Sequence, residues 1–124
     1  MPRFIGIIPI LRSFDETKAR EFYIEFLGCE IAFEHRFDES APLYMGLKLG
    51  NAEVHVSEHF GDAAPGATLR IEVDDLMGLL TALNAKAYKH ARPGTEEREP
   101  TPWGTIECTI SDPFGNRLLF WQTV

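Results

Sequence analysis

The sequence predicts an α+β fold in which two βαβββ modules form a curved mixed sheet, with a concave cleft and the helices outside. Three observations predict it. Apolar residues alternate at period two through several short segments, the pattern of half-buried strands. Two other stretches recur at helical spacing. The order then restarts after the linker Gly61 to Gly66, and Lys48-Leu49-Gly50-Asn51 in the first half parallels Pro113-Phe114-Gly115-Asn116 in the second. A unit of about 60 residues barely makes a core alone. The modules, near 1–60 and 67–124, are therefore expected to share one domain.

The Ile-rich run Phe4 to Leu11 reads as the first strand. Ser13 with Glu16 three residues on fits a capping box, and Ala19, Phe22, Tyr23, Phe26 and Leu27 supply the apolar stripe of the helix that follows. Gly28 is placed to end that helix in a left-handed conformation. Ile31, Phe33, His35 and Phe37 then alternate with Ala32, Glu34 and Arg36, which predicts a second strand. Tyr44 to Leu49 and Ala52 to Ser57 follow as strands joined by a tight turn at Gly50-Asn51.

In the second half, Thr68 to Val73 alternates as a strand, and Asp74-Asp75 opens a helix whose Leu76, Leu79, Leu80 and Leu83 form the buried stripe. A short strand is expected near Ala87 to His90, and the charged stretch Arg92 to Pro102 reads as an exposed, mobile loop. Strands Thr105 to Ile110 and Arg117 to Gln122 flank the turn Asp112-Pro113-Phe114-Gly115-Asn116.

Composition narrows the function classes. The 124 residues hold 12 Lys and Arg against 19 Asp and Glu, a net charge of -7, with 44% hydrophobic residues. That apolar content suits a globular chain rather than a disordered one. The acidic balance disfavours nucleic acid, whose phosphates need a supply of Lys and Arg, and suits a cationic ligand. The run Phe4 to Leu11 is broken by Pro9 and followed by Arg12, Asp15 and Glu16, which predicts neither a secretory signal nor a membrane span. Cys29 and Cys108 show no metal spacing and make no disulfide framework, so both are read as reduced thiols of a cytoplasmic protein.

At this point particular residues carry a family likeness. Phe22-Tyr23 before Leu27-Gly28, then Glu72-Val73-Asp74-Asp75-Leu76, then Asp112-Pro113-Phe114-Gly115-Asn116 resemble the vicinal oxygen chelate superfamily. That group includes glyoxalase I, extradiol dioxygenases, and fosfomycin and bleomycin resistance proteins. The likeness runs from Ile7 to Gln122, and Pro102-Trp103-Gly104 resembles the Pro-Trp-Gly segment of bleomycin resistance proteins. Enzymes of the superfamily hold a divalent metal on inward His, Gln or Glu side chains. The resemblance places those positions on Ile8, Val54, Thr68 and Leu119, which are three aliphatics and a hydroxyl. A slip of one residue in the first module would turn Glu53 or His55 inward instead. The set is poor for a first-row metal or for Mg, so neither metal nor other cofactor is expected, and no catalytic residue.

His55-Val56-Ser57-Glu58-His59 matches an inverted zinc-protease motif, but that motif works on a helix. On a strand, side chains four residues apart stand roughly 13 Å from each other, too far for one ion.

What the resemblance implies for the cleft is a ring-lined site. The tryptophan equivalent to Trp103 helps hold the flat tail of bleomycin in that family, and the role extends to Phe33 and Phe37. Tyr44 and His55 are expected to line the same cleft, with Glu107, Asp38, Glu39, Glu96 and Glu97 offering negative charge. Known members are dimers with clefts between subunits, so a homodimer is expected. The leading expectation is a protein that sequesters a cationic, flat aromatic antibiotic, without metal or chemistry. A glyoxalase-class metal enzyme and a small-metabolite carrier or sensor stand as alternatives.

Overall fold

In the computed structural model, which describes residues 1–90 and 92–124, the strands fall into two mixed sheets that belong to two compact units, Met1–Pro65 and Gly66–Val124. The first unit contains β1 (Ile10–Arg12), α1 (Glu16–Arg20), β2 (Glu30–His35), β3 (Tyr44–Leu49) and β4 (Ala52–Ser57). Its strand order is β1-β4-β3-β2, with β1 parallel to β4 and the other pairs antiparallel. The second unit contains β5 (Thr68–Glu72), α2 (Leu76–Asn84), β6 (Thr105–Ser111) and β7 (Arg117–Thr123). Its order, β5-β7-β6 with β5 parallel to β7, repeats the β1-β4-β3 part of the first sheet. The duplication legible in the chain is therefore a duplication of strand pairing.

Alternation decides which face of each sheet is buried. In the first unit Met45 pairs with Val56 and Leu47 with Val54, and all four are buried together with Leu11. Phe22, Tyr23 and Phe26 are buried too, and each such side chain contributes about 2 kcal/mol when fully removed from water. After α1 the chain widens into a π-helical segment, Glu21–Phe26, in which Leu27 N–H reaches back to the Phe22 carbonyl at 2.8 Å. Gly28, at φ 85°, ends it as expected, and Cys29 N–H closes on the Tyr23 carbonyl at 2.8 Å. In the second unit Leu118, Phe120 and Ile110 occupy the buried face, and Leu76, Leu80 and Leu83 of α2 are buried as well.

Three expectations need correction. The first strand is not Phe4 to Leu11. Pairing begins where His55 N–H meets the Pro9 carbonyl at 2.9 Å, and Phe4, Ile5 and Ile7 before it are 93%, 85% and 92% exposed. Those three have the composition of a strand without a partner strand to bury it. Ser13 does not cap the helix either. Its N–H still extends the β1 ladder to the Ser57 carbonyl at 2.9 Å, and Asp15 makes the cap by accepting Lys18 N–H at 2.9 Å. Finally, Ala87 to His90 forms no strand. Tyr88 is the one buried side chain of those four, too little to hold the segment against a sheet. The second unit is thus βαββ among the described residues.

The turn between β6 and β7 is built from buried polar atoms. Asp112 accepts the N–H groups of Phe114 (2.9 Å) and Asn116 (2.8 Å), and Asn116 Nδ2 donates to Asp112 Oδ2 at 2.8 Å. Asn116 Oδ1 accepts Gly66 N–H at 3.2 Å, tying the start of the unit to this turn. Gly115 sits at φ 91°, which a residue with a Cβ adopts only under strain. No helix among the described residues is long and apolar enough to cross a membrane.

Candidate ligand-binding faces

Each sheet has one buried face and one face that keeps polar and aromatic groups, and of the expected site residues Phe33, Tyr44, His55 and Glu107 sit on the latter. In the first unit, Phe33 pairs with Gly46, Gly46 with His55, and His55 with Ile10, so these positions share a face opposite Val54 and Val56. The Phe33 ring lies across Gly46 so closely that a Cβ there would stand 2.1 Å from it. Glycine at 46 is what lets the ring lie down. A register shift between Ile31 and Phe33 helps turn the ring over the sheet. Phe33 then stacks on Tyr44 at 6.1 Å with 14° between planes, and meets His55 edge-on at 5.2 Å.

Below these rings runs a hydrogen-bonded chain. The Tyr44 hydroxyl and His55 Nδ1 are 2.6 Å apart, His55 Nε2 and Glu53 Oε2 are 2.7 Å apart, and Lys48 Nζ reaches Glu53 Oε1 at 2.8 Å. Lys48 first, and His55 second, hold the Glu53 carboxyl below the usual carboxylate range. Burial, followed by the charges of Asp62 and Glu53, pushes the Tyr44 phenol upward. Phe37 lies beyond the end of β2, 80% exposed, with edge-on neighbours His35 at 5.0 Å and His59 at 6.1 Å. A groove of about 350 Å³ lies on another part of this unit, along Thr17, Arg20, Glu21, Ile24, Glu25 and Ile31, and includes none of these rings.

The second unit assembles its own cluster. Trp103 is 65% exposed, and its indole N–H donates to Glu107 Oε2 at 2.9 Å. The Thr105 hydroxyl donates to the same oxygen at 2.6 Å, and Arg70 Nη2 donates to it at 3.0 Å. Arg70 also lies over the Trp121 ring at 5.4 Å. Arg70 first, then Thr105 and Trp103, hold the Glu107 carboxyl down to about 2. Glu107 was expected to offer its charge to a ligand. Its carboxylate accepts from three donors of its own unit, the Trp103 indole among them. Arg70 escaped the sequence reading, although its place between the inward Leu69 and Ile71 puts it on the Trp121 face.

The metal-ligand positions can be tested on these faces. Thr68 and Leu119 do alternate onto the face of Arg70, whereas Ile8 lies outside any strand and is 47% exposed. Val54 faces the core, so the one-residue slip is what the first unit adopts, with Glu53 and His55 on the open side. This corrects the placement of Val54. Both ring nitrogens of His55 are hydrogen-bonded, leaving no lone pair for an ion while those bonds stand. Among the described residues no three His, Cys, Asp or Glu side chains converge as metal ligands. The residues present do not fit the metal of the superfamily's enzymes. His55 to His59 lies on β4 and its end, not on a helix, so the protease motif has no structural basis. Cys29 and Cys108 are free thiols, and burial pushes Cys29 up to about 11.

The profile of a family described as "Glyoxalase superfamily protein" matches residues 3–124. The chain belongs to the glyoxalase superfamily. No curated protein matches it. Among solved structures, this superfamily member is similar to a bleomycin-binding protein in complex with bleomycin, at 23% identity and a TM-score of 0.70, over 98% of this chain and all (100%) of that one. It is also similar to the bleomycin-binding protein of the bleomycin producer Streptomyces verticillus in complex with copper(II)-bleomycin, at 26% identity and a TM-score of 0.66, over 97% of both chains. A third likeness is to an antibiotic-binding protein of Streptomyces sp. CB03234, at 21% identity and a TM-score of 0.69, over 99% of this chain and 100% of the other. These likenesses support the glyoxalase/bleomycin resistance fold for this superfamily member.

Proposed function

We propose that this glyoxalase-superfamily protein binds a flat, cationic aromatic antibiotic of the bleomycin type and sequesters it stoichiometrically, with no metal and no bond made or broken. The observation that carries the reading is Trp103, an indole 65% exposed yet held in place by its hydrogen bond to Glu107. An exposed ring costs solvation, and fixing it in advance lowers the entropy lost when a flat ligand stacks on it. Phe33 over Tyr44 offers a second ring surface of the same kind. The net charge of -7 favours approach of a cation, and Asp38, Glu39, Glu96 and Glu97 stay exposed. Similar proteins that bind bleomycin or another antibiotic support the ligand class.

We place the protein in the cytoplasm and take its working form to be a homodimer. The exposed Phe4, Ile5 and Ile7 favour the dimer, because such a segment gains by lying against a second copy. Calorimetry with metal-free and copper-loaded bleomycin tests the function. Saturable heat at one drug per binding site, with affinity lowered about tenfold in Trp103→Ala, is expected. Absence of heat together with absence of protection in expressing cells overturns it.

A further inference from the structure

The chain Glu53–His55–Tyr44 crosses the ring-bearing face of the first unit with each link at hydrogen-bond distance. Its direction follows from what each group can donate. Glu53 is ionised and paired with Lys48, so its oxygens only accept. The proton between Glu53 and His55 therefore sits on Nε2. A neutral imidazole with Nε2–H has a lone pair on Nδ1, so at 2.6 Å the Tyr44 hydroxyl must donate to it. With its single proton spent, the Tyr44 oxygen meets any further group as an acceptor.

We propose that Glu53, acting through His55, fixes Tyr44 as a hydrogen-bond acceptor, so that the open face of the first unit selects flat aromatic ligands bearing an N–H or ammonium donor beside the ring. This rests on the reading that the exposed ring faces bind flat ligands, and it adds which of them this face prefers. Phe33 supplies the stacking surface 6.1 Å from the Tyr44 ring, and the phenolic oxygen supplies the polar point at its edge. Tyr44 is the binding residue; His55 and Glu53 are positioning residues.

The test uses the full chain and two matched probes, 2-aminobenzothiazole and benzothiazole, with binding followed on the NMR signals of Phe33 and Tyr44 and the tautomer of His55 read from its own ring nitrogens. At neutral pH the expected results are an Nε2–H tautomer and tighter binding of the amino probe by about fivefold, the worth of one hydrogen bond. Tyr44→Phe keeps the ring and should bring the two affinities together. Glu53→Gln should reduce the preference and alter the tautomer, a spectroscopic change that a merely structural role would not produce. An Nδ1–H tautomer, equal affinities in the wild type, or an unchanged preference in Tyr44→Phe overturns the proposal. Bleomycin binding that survives such a result leaves the sequestration reading standing, which separates the two failures. Failure of both probes to move the Phe33 and Tyr44 signals removes this face as a binding surface altogether.

Discussion

Glu107 shows how much one side chain can decide at the scale of the residue. Three donors converge on it, and the same bonds that depress its proton affinity hold the Trp103 indole. A carboxyl depressed on folding stabilises the protein above its unfolded value, ordinarily about 4.3, and loses that contribution as pH falls towards the folded value of about 2. Chemical denaturation of wild type and Glu107→Gln between pH 6 and 2 should therefore show a gap that closes as the medium is acidified. A constant gap would mean that shape rather than charge makes the contribution. Trp103→Ala is expected to weaken bleomycin binding about tenfold, the upper range for one aromatic stacking partner, as measured by calorimetry. At Gly46 the expectation is geometric. Gly46→Ala puts a methyl group 2.1 Å from the present Phe33 ring, so the ring must leave its seat, seen as loss of its ring-current shift on Tyr44.

Elements were legible where their signals are local. The Gly50-Asn51 turn between two short runs identified β3 and β4 to their ends, Tyr44–Leu49 and Ala52–Ser57, since turn chemistry is local. Gly28 stopped its helix because the φ of 85° there belongs to glycine whatever surrounds it. Ser13 misled for a physical reason. A side chain caps only the helix start it stands at, and β1 pairing carries Ser13 to the Ser57 carbonyl while the helix begins at Glu16, behind Asp15. Ala87 to His90 misled similarly, since a strand requires a neighbour that a short segment cannot announce. The Asp112–Asn116 turn carries the clearest expectation at this scale. Asn116→Ala removes its side-chain hydrogen bonds to Asp112 and to the Gly66 N–H, which should cost about 2–3 kcal/mol in urea denaturation without changing the sheet order.

For the whole molecule, association is the property that the exposed N-terminal segment bears on. If a second copy covers Phe4 and Ile7, the double variant Phe4→Ser, Ile7→Ser should sediment as a monomer at micromolar concentration while the wild type sediments as a dimer. Equal sedimentation of the two proteins as monomers would remove the dimer. The sequence by itself determined the α+β class, the repeat, the family and most strand positions, because periodicity, turn chemistry and the Asp-Pro-Phe-Gly-Asn turn act over a few neighbouring residues. It also named the rings Phe33, Phe37, Tyr44 and Trp103 and the polar groups His55 and Glu107. Only the tertiary structure decided what those groups do to one another. Whether Val54 or His55 faces outward turns on a register of one residue, and side chains alternate faces at that same spacing. That Arg70 holds Glu107, and Glu53 holds His55, depends on strands brought together by pairing, and hydrogen bonds between side chains are set by that pairing rather than by order along the chain.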